Sequence, residues 1–348
     1  MNHRLQAFVY GAILALIGGW VLYVGREVFV PIVLGILVVY IIVGVARLLR
    51  RIPLLGRMLP EQLRYTVSVL VIALALVLVG YLVIANRDRV LALAPTYQES
   101  LLAAIQKFAA FFHIESEPTW TTLRHDVLAR INLQAIIGSM VASVSSIAVS
   151  VIVVLLYASF LLMEQHSFTA KVANLSNNPQ TVARIRQITT DINTRIGSYL
   201  ALKTCIGILL GAVSWVIMAF LGLEFAAFWA VLIALLNYVP YIGSFLGVLF
   251  PVAMSIVQFG STSDVLAVLA SLTVVQFLIG NILDPYVMGS SLNLSPFAIL
   301  VSLAIWSSMW GVPGAFLAVP ITAIMVIVFS EFQGTRPIAV LLSRNGQL

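Results

Sequence analysis

The chain has 348 residues, 61% of them hydrophobic and only 9% charged, with a formal net charge of +6. Soluble domains carry about 25% charged residues, so too few solvated groups exist here to cover a globular surface, and lipid is the solvent the composition requires. The net positive charge does not describe a nucleic-acid footprint, because the basic residues sit in short clusters between apolar runs, and the single cysteine, Cys205, excludes an intrachain disulfide or a cysteine-rich metal site.

Apolar runs of spanning length occur at about 6–25, 28–46, 65–85, 140–163, 204–222 and 265–283, and each predicts a membrane helix. The first follows Arg4 and ends near Trp20–Gly25 without a small-residue cleavage site, and a second run begins at once. It reads as an uncleaved span rather than a signal peptide.

The loops set the orientation. Arg47, Arg50, Arg51, Arg57 and Arg64 face one acid, Glu61, in 47–64. Lys171, Arg184, Arg186, Arg195 and Lys203 face Glu164 and Asp191 in 164–203. The positive-inside rule makes both segments cytoplasmic, together with Arg4 and a tail holding Arg336 and Arg344. Both termini are therefore expected in the cytoplasm, and 86–139 outside.

Within 86–139, Val90, Ala94, Tyr97, Leu101, Ile105, Phe108 and Phe112 recur at helical steps. Glu117–Pro118 interrupts them, and a second amphipathic stretch runs from Thr121 toward Leu133. On the cytoplasmic side Asn178–Pro179 predicts a helix start, with Val182, Ile185, Ile192, Ile196 and Tyr199 on one face. Such stripes pack on the protein or on a neighbouring subunit more often than they bind a cofactor.

Two apolar runs exceed one span. Residues 225–258 would make a helix of about 51 Å against a hydrocarbon core of about 30 Å, and the run breaks at Asn237-Tyr238-Val239-Pro240-Tyr241-Ile242-Gly243. Residues 296–330 break likewise at Gly311-Val312-Pro313-Gly314. Each is a broken span or a re-entrant hairpin, and charge parity allows both. The fold class expected is all-α: a polytopic bundle of about eight apolar segments with a small helical extracytoplasmic insertion. Its divisions fall at 1–85 (three spans), 86–139 (the insertion), 140–203 (a fourth span plus a cytoplasmic helix), 204–335 (the transport core) and 336–348 (the tail).

No Lys or Arg lies between Thr204 and Thr335, where the only acids are Glu224, Asp264, Asp284 and Glu331. An anionic substrate would there depend on helix N-termini and neutral donors, so a neutral polar solute or a cation fits more easily. Non-helical backbone at membrane depth must be buried or line a wet cavity, and interrupted apolar segments point to a transporter's binding site. Candidate pathway residues are Asn237, Tyr238, Pro240, Tyr241, Gly243 and Ser244, with Gln276, Gly280 and Asp284 at i, i+4, i+8 and Asn281 beside them. Pro240, Gly311, Pro313 and Gly314 are the candidate hinges. Each has a plainer reading. Asn237 and Gln276 would serve equally as interhelical hydrogen bonds, Asp284 as a cap beside Pro285, and Trp306 and Trp310 as interfacial anchors.

The strings GxxxxGK[ST], HExxH and GxSxG are absent, so nucleotide-driven pumping and familiar hydrolase chemistry lack support. His3, His113, His125 and His166 are scattered over tails and loops and predict no metal centre.

Three strings carry a family resemblance. They are Tyr199-Leu200-Ala201-Leu202-Lys203 running into Gly207–Gly222; Leu236-Asn237-Tyr238-Val239-Pro240-Tyr241-Ile242-Gly243-Ser244; and a third that starts at Gln276 and passes Asp284-Pro285-Tyr286-Val287-Met288-Gly289. The third continues through Leu294-Ser295-Pro296 to Trp310-Gly311-Val312-Pro313-Gly314-Ala315-Phe316-Leu317-Ala318-Val319-Pro320. They resemble the AI-2E family of bacterial membrane permeases, which includes exporters of the signal molecule autoinducer-2. The resemblance implies a homo-oligomeric permease of the inner membrane without a bound cofactor. Relatives are associated both with autoinducer-2 export and with sodium/proton exchange, so the expected function is a secondary transporter that exports a small polar solute by alternating access, with a monovalent cation/proton antiporter and a non-transporting membrane scaffold as the alternatives.

Overall fold

The computed structural model describes residues 3–51, 60–85, 149–164, 177–288 and 292–347, with 167, 170, 171 and 174 between them. The stripe expected in 86–139 lies outside the described residues, as do His113 and His125. In chain order the helices are α1 (His3–Val24), α2 (Arg26–Arg51) and α3 (Glu61–Ala85), followed by α4 (Val149–Glu164). Then come α5 (Pro179–Phe220), α6 (Ala226–Leu236), α7 (Ile242–Phe259) and α8 (Thr262–Phe277), continued by a π-helical stretch, Leu278–Leu283, and α9 (Asp284–Met288). The chain ends in α10 (Pro296–Ser330) and α11 (Arg336–Leu342). Among the described residues the β-pairing is confined to one bridge, Leu294 to Ser343. Five helical stretches are long and apolar enough to cross a membrane: within α2, α5, α7, α8 through α9, and α10.

The cytoplasmic helix and the apolar run after it are one element. Asn178 Oδ1 accepts the N–H of Gln180 at 2.9 Å and Pro179 takes the first helical position, where its missing donor costs nothing. From there α5 runs 42 residues without a break, about 63 Å. Ile196 and Tyr199 on its apolar stripe are buried, while Arg184, Arg186 and Arg195 beside it are exposed.

The contacts group the chain into two compact units. The first comprises Met1–Tyr65, Ser150–Ala201 and Ser290–Leu348. Here α2 is gripped through glycines. A Cβ on Gly35 would lie 3.0 Å from Tyr157 Cβ of α4, and one on Gly44 would lie 2.8 Å from Ala201 Cβ of α5. Small residues let membrane helices approach closely where no hydrophobic force drives them together. Tyr40 of α2 donates its hydroxyl to Asn193 Oδ1 of α5 at 2.8 Å, which ties the same pair of helices by a polar contact.

In this unit α10 is not a single rod. Gly311 adopts φ 64°, ψ −140°, backbone essentially closed to side-chain-bearing residues, and the chain folds back on itself. A Cβ on Gly314 would stand 1.9 Å from the carbonyl oxygen of Trp306, eight residues earlier and about 12 Å away in an unbroken helix. Pro313 falls in the first turn of the second arm, where proline is tolerated. The ends of α10 are joined through α11: Ser295 N–H donates to Leu342 O at 2.9 Å, and Arg344 N–H donates to Asn293 O at 3.2 Å.

The second unit comprises Thr66–Val149 and Leu202–Gly289. Helices α6 and α7 form an antiparallel hairpin. A Cβ on Gly243 would meet Leu236 O at 1.8 Å, and Gly247 faces Ile233. Trp229 stacks on Phe250, ring centroids 6.4 Å apart. At the base, Glu224 N–H donates to Gln258 Oε1 and Gln258 Nε2 donates to Gly222 O, each at 2.8 Å. The hairpin lies on α5 through two pairs of small residues. Gly207 meets the carbonyl of Ala234, and Gly211 meets that of Ala230, at 3.0 and 2.9 Å from a built Cβ. Ile206, Leu210 and Met218 of α5 join Ile233, Val268, Leu272 and Val275 in one buried cluster. Thus α5, the hairpin and α8 make one packed body.

Both breaks in the apolar runs are therefore reversals, each sealed by a glycine with no room for a side chain. Gly243→Ala and Gly314→Ala push a methyl into backbone, and overpacking of this kind costs about 3 kcal/mol. Thermal unfolding in detergent should show both variants markedly less stable than the parent. Gly18→Ala, in open space, should leave stability unchanged or slightly raised. Equal stability of all three would mean the reversals are not packed as described.

Candidate functional site

The candidate site lies in the second unit, where the hairpin tip meets α5 and the end of α8. The tip contains strained backbone. Tyr241 sits at φ 61°, ψ −58°, and the Ile242 N–H donates to Pro240 O at 2.6 Å. Together these describe a γ-turn of the rare positive-φ kind, which is strained for a residue bearing a side chain. Tyr241 itself is exposed, so its side chain does not compensate by burial.

Around this turn the polar side chains find one another across elements. Tyr238 and Thr204 share a hydroxyl–hydroxyl hydrogen bond of 2.5 Å between tip and α5. Gln276 Nε2 of α8 donates to Ser244 Oγ at the start of α7, at 2.9 Å. Thus Gln276 fills the interhelical role considered for it. Asn237 does not: it is 6% exposed, and its Nδ2 is buried without a hydrogen-bond partner. It lies over α5, 3.7 Å from where a Cβ on Gly207 would be. A buried, unpaired amide donor costs about 1–3 kcal/mol, which marks the position as one where polar chemistry is retained against stability.

The charge at the site differs from what the sequence suggests. Lys203, counted there as one of the basic residues of a cytoplasmic loop, is buried at 6% exposure. Its Nζ donates to Asp284 Oδ2 at 2.7 Å. Asp284 is mostly buried too, and its Oδ1 has no partner. The core thus holds a fixed cation one residue before the stretch devoid of Lys and Arg, and the argument that an anion would find only neutral donors no longer applies. The pair sums to zero charge. Two signals in the sequence pointed at it: Lys203 closes one of the family strings, and it is the last cation before a long apolar run.

The π-helical stretch explains how Asp284 reaches this place. In an α-helix a step of four residues overshoots a full turn by about 40°, so Gln276, Gly280 and Asp284 would drift around the axis. The wider i→i+5 turns of Leu278–Leu283 hold more residues each and reduce that drift. Gln276 lies over Gly280, its Nε2 3.3 Å from a Cβ built there, and Asp284 reaches Lys203. Asn281 is exposed and stands apart from the cluster. Pro240 and Gly243 shape the tip. In the first unit Gly311, Pro313 and Gly314 form the other reversal, and Trp310 lies beside it. It is buried, and its Nε1 donates to Leu22 O at 3.0 Å.

Apolar helices long enough to cross a bilayer, folded around backbone reversals and a buried polar centre, define a multi-pass membrane protein of the transporter class. The chain belongs to the AI-2E family of transporters, whose family model matches residues 11–334. Among curated relatives, the AI-2 transport protein TqsA of Escherichia coli (strain K12) is 29% identical over 324 residues, 91% of this chain and 90% of that protein. The putative transport protein YhhT of the same strain is 30% identical over 287 residues, 81% of this chain and 79% of that one. A putative transport protein of Borreliella burgdorferi is 36% identical over 194 residues, 56% of this chain and 53% of its own length.

Removing one member of a buried ion pair leaves an uncompensated charge and costs about 3–5 kcal/mol, whereas replacing both by apolar groups is often neutral. Lys203→Met and Asp284→Leu should each lower stability by that order, and the double variant should recover most of the loss. Additive single effects in chemical unfolding would show that the two side chains do not interact.

Proposed function

We propose that this protein is a secondary transporter that moves a small, neutral, polar solute outward across the bacterial inner membrane by alternating access. Autoinducer-2 or a similar signal molecule is the cargo. The supporting observation is the polar centre at the hairpin tip, where the Asn237 amide and Asp284 Oδ1 are buried with no partner. A small polyol-like solute has the hydroxyls to complete both, donating to the carboxylate and accepting from the amide. One turn of α5 carries Lys203, bonded to Asp284, and Gly207, beneath Asn237, so the two orphaned atoms flank a stretch only about 6 Å long. The neutral sum of the Lys203–Asp284 pair suits an uncharged solute better than an ion of either sign.

The hairpin supplies the gate. Helix α6 is 11 residues, about 16 Å, and cannot cross a hydrocarbon core of about 30 Å, so the hairpin is re-entrant, with base and tip at different depths. Two hydrogen bonds, Thr204–Tyr238 and Ser244–Gln276, latch the tip to α5 and α8. Breaking them frees the tip without unpacking the apolar cluster. The name of TqsA, an AI-2 transport protein, supports the same class of cargo. A monovalent cation/proton antiporter is the second reading, favoured by the mostly buried Asp284 and its open oxygen.

Proteoliposomes containing the purified protein and loaded with autoinducer-2 should release it in a protein-dependent manner. Asn237→Ala and Gln276→Ala should slow release by roughly tenfold each, the equivalent of about 1.4 kcal/mol and within the range of one lost hydrogen bond. Release indistinguishable from empty vesicles, with the protein folded and inserted, would reject this cargo. Gradient-driven sodium/proton exchange in the same vesicles would then favour the antiporter.

A further inference from the structure

Helix α11 has one side packed and the other bare. Ala339 and Ser343 are buried, while Phe332 before the helix and Ile338, Val340 and Leu341 within it are exposed, Leu341 at 79%. Exposed apolar side chains grouped in this way mark a surface that meets a partner or a membrane. The place of α11 in the first unit, and its charge, say which.

The helix stands at the feet of the α10 hairpin. From Pro296 to the break at Gly311 the first arm is about 22 Å long, against a hydrocarbon core of about 30 Å. A hairpin of that reach, entering and leaving on one side, carries its tip most of the way across and keeps its feet among the headgroups. Only residues 331–335 separate α11 from the end of α10, and they are bonded tightly. Thr335 Oγ1 donates to Phe329 O at 3.0 Å, and Arg336 N–H donates to Phe332 O at 2.9 Å. The other foot is tied by the Leu294–Ser343 bridge and by the Ser295 N–H on Leu342 O. Fixed to both feet, α11 lies at the bilayer surface.

The charge there is of one sign. Residues 332–348 contain no Asp or Glu and carry Arg336 and Arg344. Both arginines are exposed, and neither has an ion-pair partner among the described residues. The acid just before them, Glu331, is engaged elsewhere. Its Oε2 accepts from Arg184 Nε at 3.1 Å, and the Arg184 guanidinium lies 5.6 Å over the Phe332 ring. Two uncommitted guanidinium groups therefore bracket an apolar face at headgroup depth. A guanidinium presents paired donors that match phosphate oxygens. Basic residues at the rim of an apolar helix face are the pattern of a helix lying in the interface of an anionic membrane. A protein partner fits less well, because a helix of seven residues falls far short of the roughly 800 Å² per side that a standard protein interface buries.

We propose that α11, with Arg336 and Arg344, is a docking surface for anionic phospholipid. The arginines bond the headgroup phosphates, Ile338 and Leu341 enter the acyl boundary, and the bound lipid clamps the two feet of the α10 hairpin together. The lipid composition of that leaflet thereby sets how readily the feet part, whatever solute the protein carries.

Hydrogen–deuterium exchange of the full-length protein in nanodiscs reads the clamp at the Ser295 and Arg344 amides, whose bonds to Leu342 O and Asn293 O join the feet. In discs of phosphatidylcholine mixed with phosphatidylglycerol these amides should exchange about tenfold more slowly than in phosphatidylcholine alone, the order expected for two arginines on an anionic surface. The double variant Arg336→Gln/Arg344→Gln should erase that difference, and Arg336→Lys/Arg344→Lys, which keeps the charge, should retain part of it. Soluble glycerol phosphate added to phosphatidylcholine discs should give no protection, since it leaves the apolar face bare. Equal exchange in the two lipids overturns the proposal, as does a difference that survives in the glutamine variant or protection by glycerol phosphate alone. Protection that follows the number of protein copies per disc and ignores the lipid also overturns it, and assigns the face to a second copy of the chain.

Discussion

Hydrocarbon offers no hydrogen-bond partner, so every backbone N–H and C=O at membrane depth has to be satisfied within the protein. Continuous helices meet that demand by themselves, which is why the described chain is helical almost throughout. The reversals at Pro240–Ile242 and Gly311 meet it differently. They set the turns against their own preceding helices, and around the first of them Val239, Ile242 and Gly243 N–H groups donate to Leu236, Pro240 and Val239 carbonyls. There Gly243 and Gly314 let backbone touch backbone, and the neighbouring arm shields what the turn leaves open.

Close packing without side-chain bulk recurs for the same reason. Lipid tails are as apolar as leucine, so burial alone does not hold α5 to the hairpin. Contact area does, and area grows as backbones approach. Gly207 and Gly211 set against Ala234 and Ala230 give the second unit that approach, and Gly35 and Gly44 give it to α2 in the first. Polar ties are few and placed at ends: Gln258 at the hairpin base, Thr204–Tyr238 and Ser244–Gln276 at its tip. The second unit is thus held by contact area along the helices and by single hydrogen bonds at the hairpin's ends.

The polar centre carries cost in three forms: the strained turn at Tyr241, the unpartnered amide of Asn237, and the buried charges of Lys203 and Asp284. Each would be relieved by a simple substitution, by glycine or by apolar residues. All three lie in the second unit, between the hairpin tip, α5 and the end of α8, although other described residues also carry such costs: Trp229 Nε1 is buried without a partner, and Phe225 and Asn293 have positive φ.

The sequence by itself determined the environment, the helical class and the location of both breaks, because each depends on local composition: charge content, apolar run length, and Pro or Gly within a run. It also determined the start of α5 at Pro179, since a cap is written in adjacent residues. The tertiary structure decided that both breaks are reversals, because a run broken in the middle satisfies length and charge parity whether it bends or returns. It decided that Lys203 is a buried ion-pair partner and not a loop charge, because its partner lies 81 positions away and a positive residue at the lip of an apolar run looks the same in either role. It decided too that Asn281 stands apart while Asp284 joins the centre. The π turn between α8 and α9 resets the face each residue presents, and only packing against α5 and α7 gives a reason for a helix to widen there.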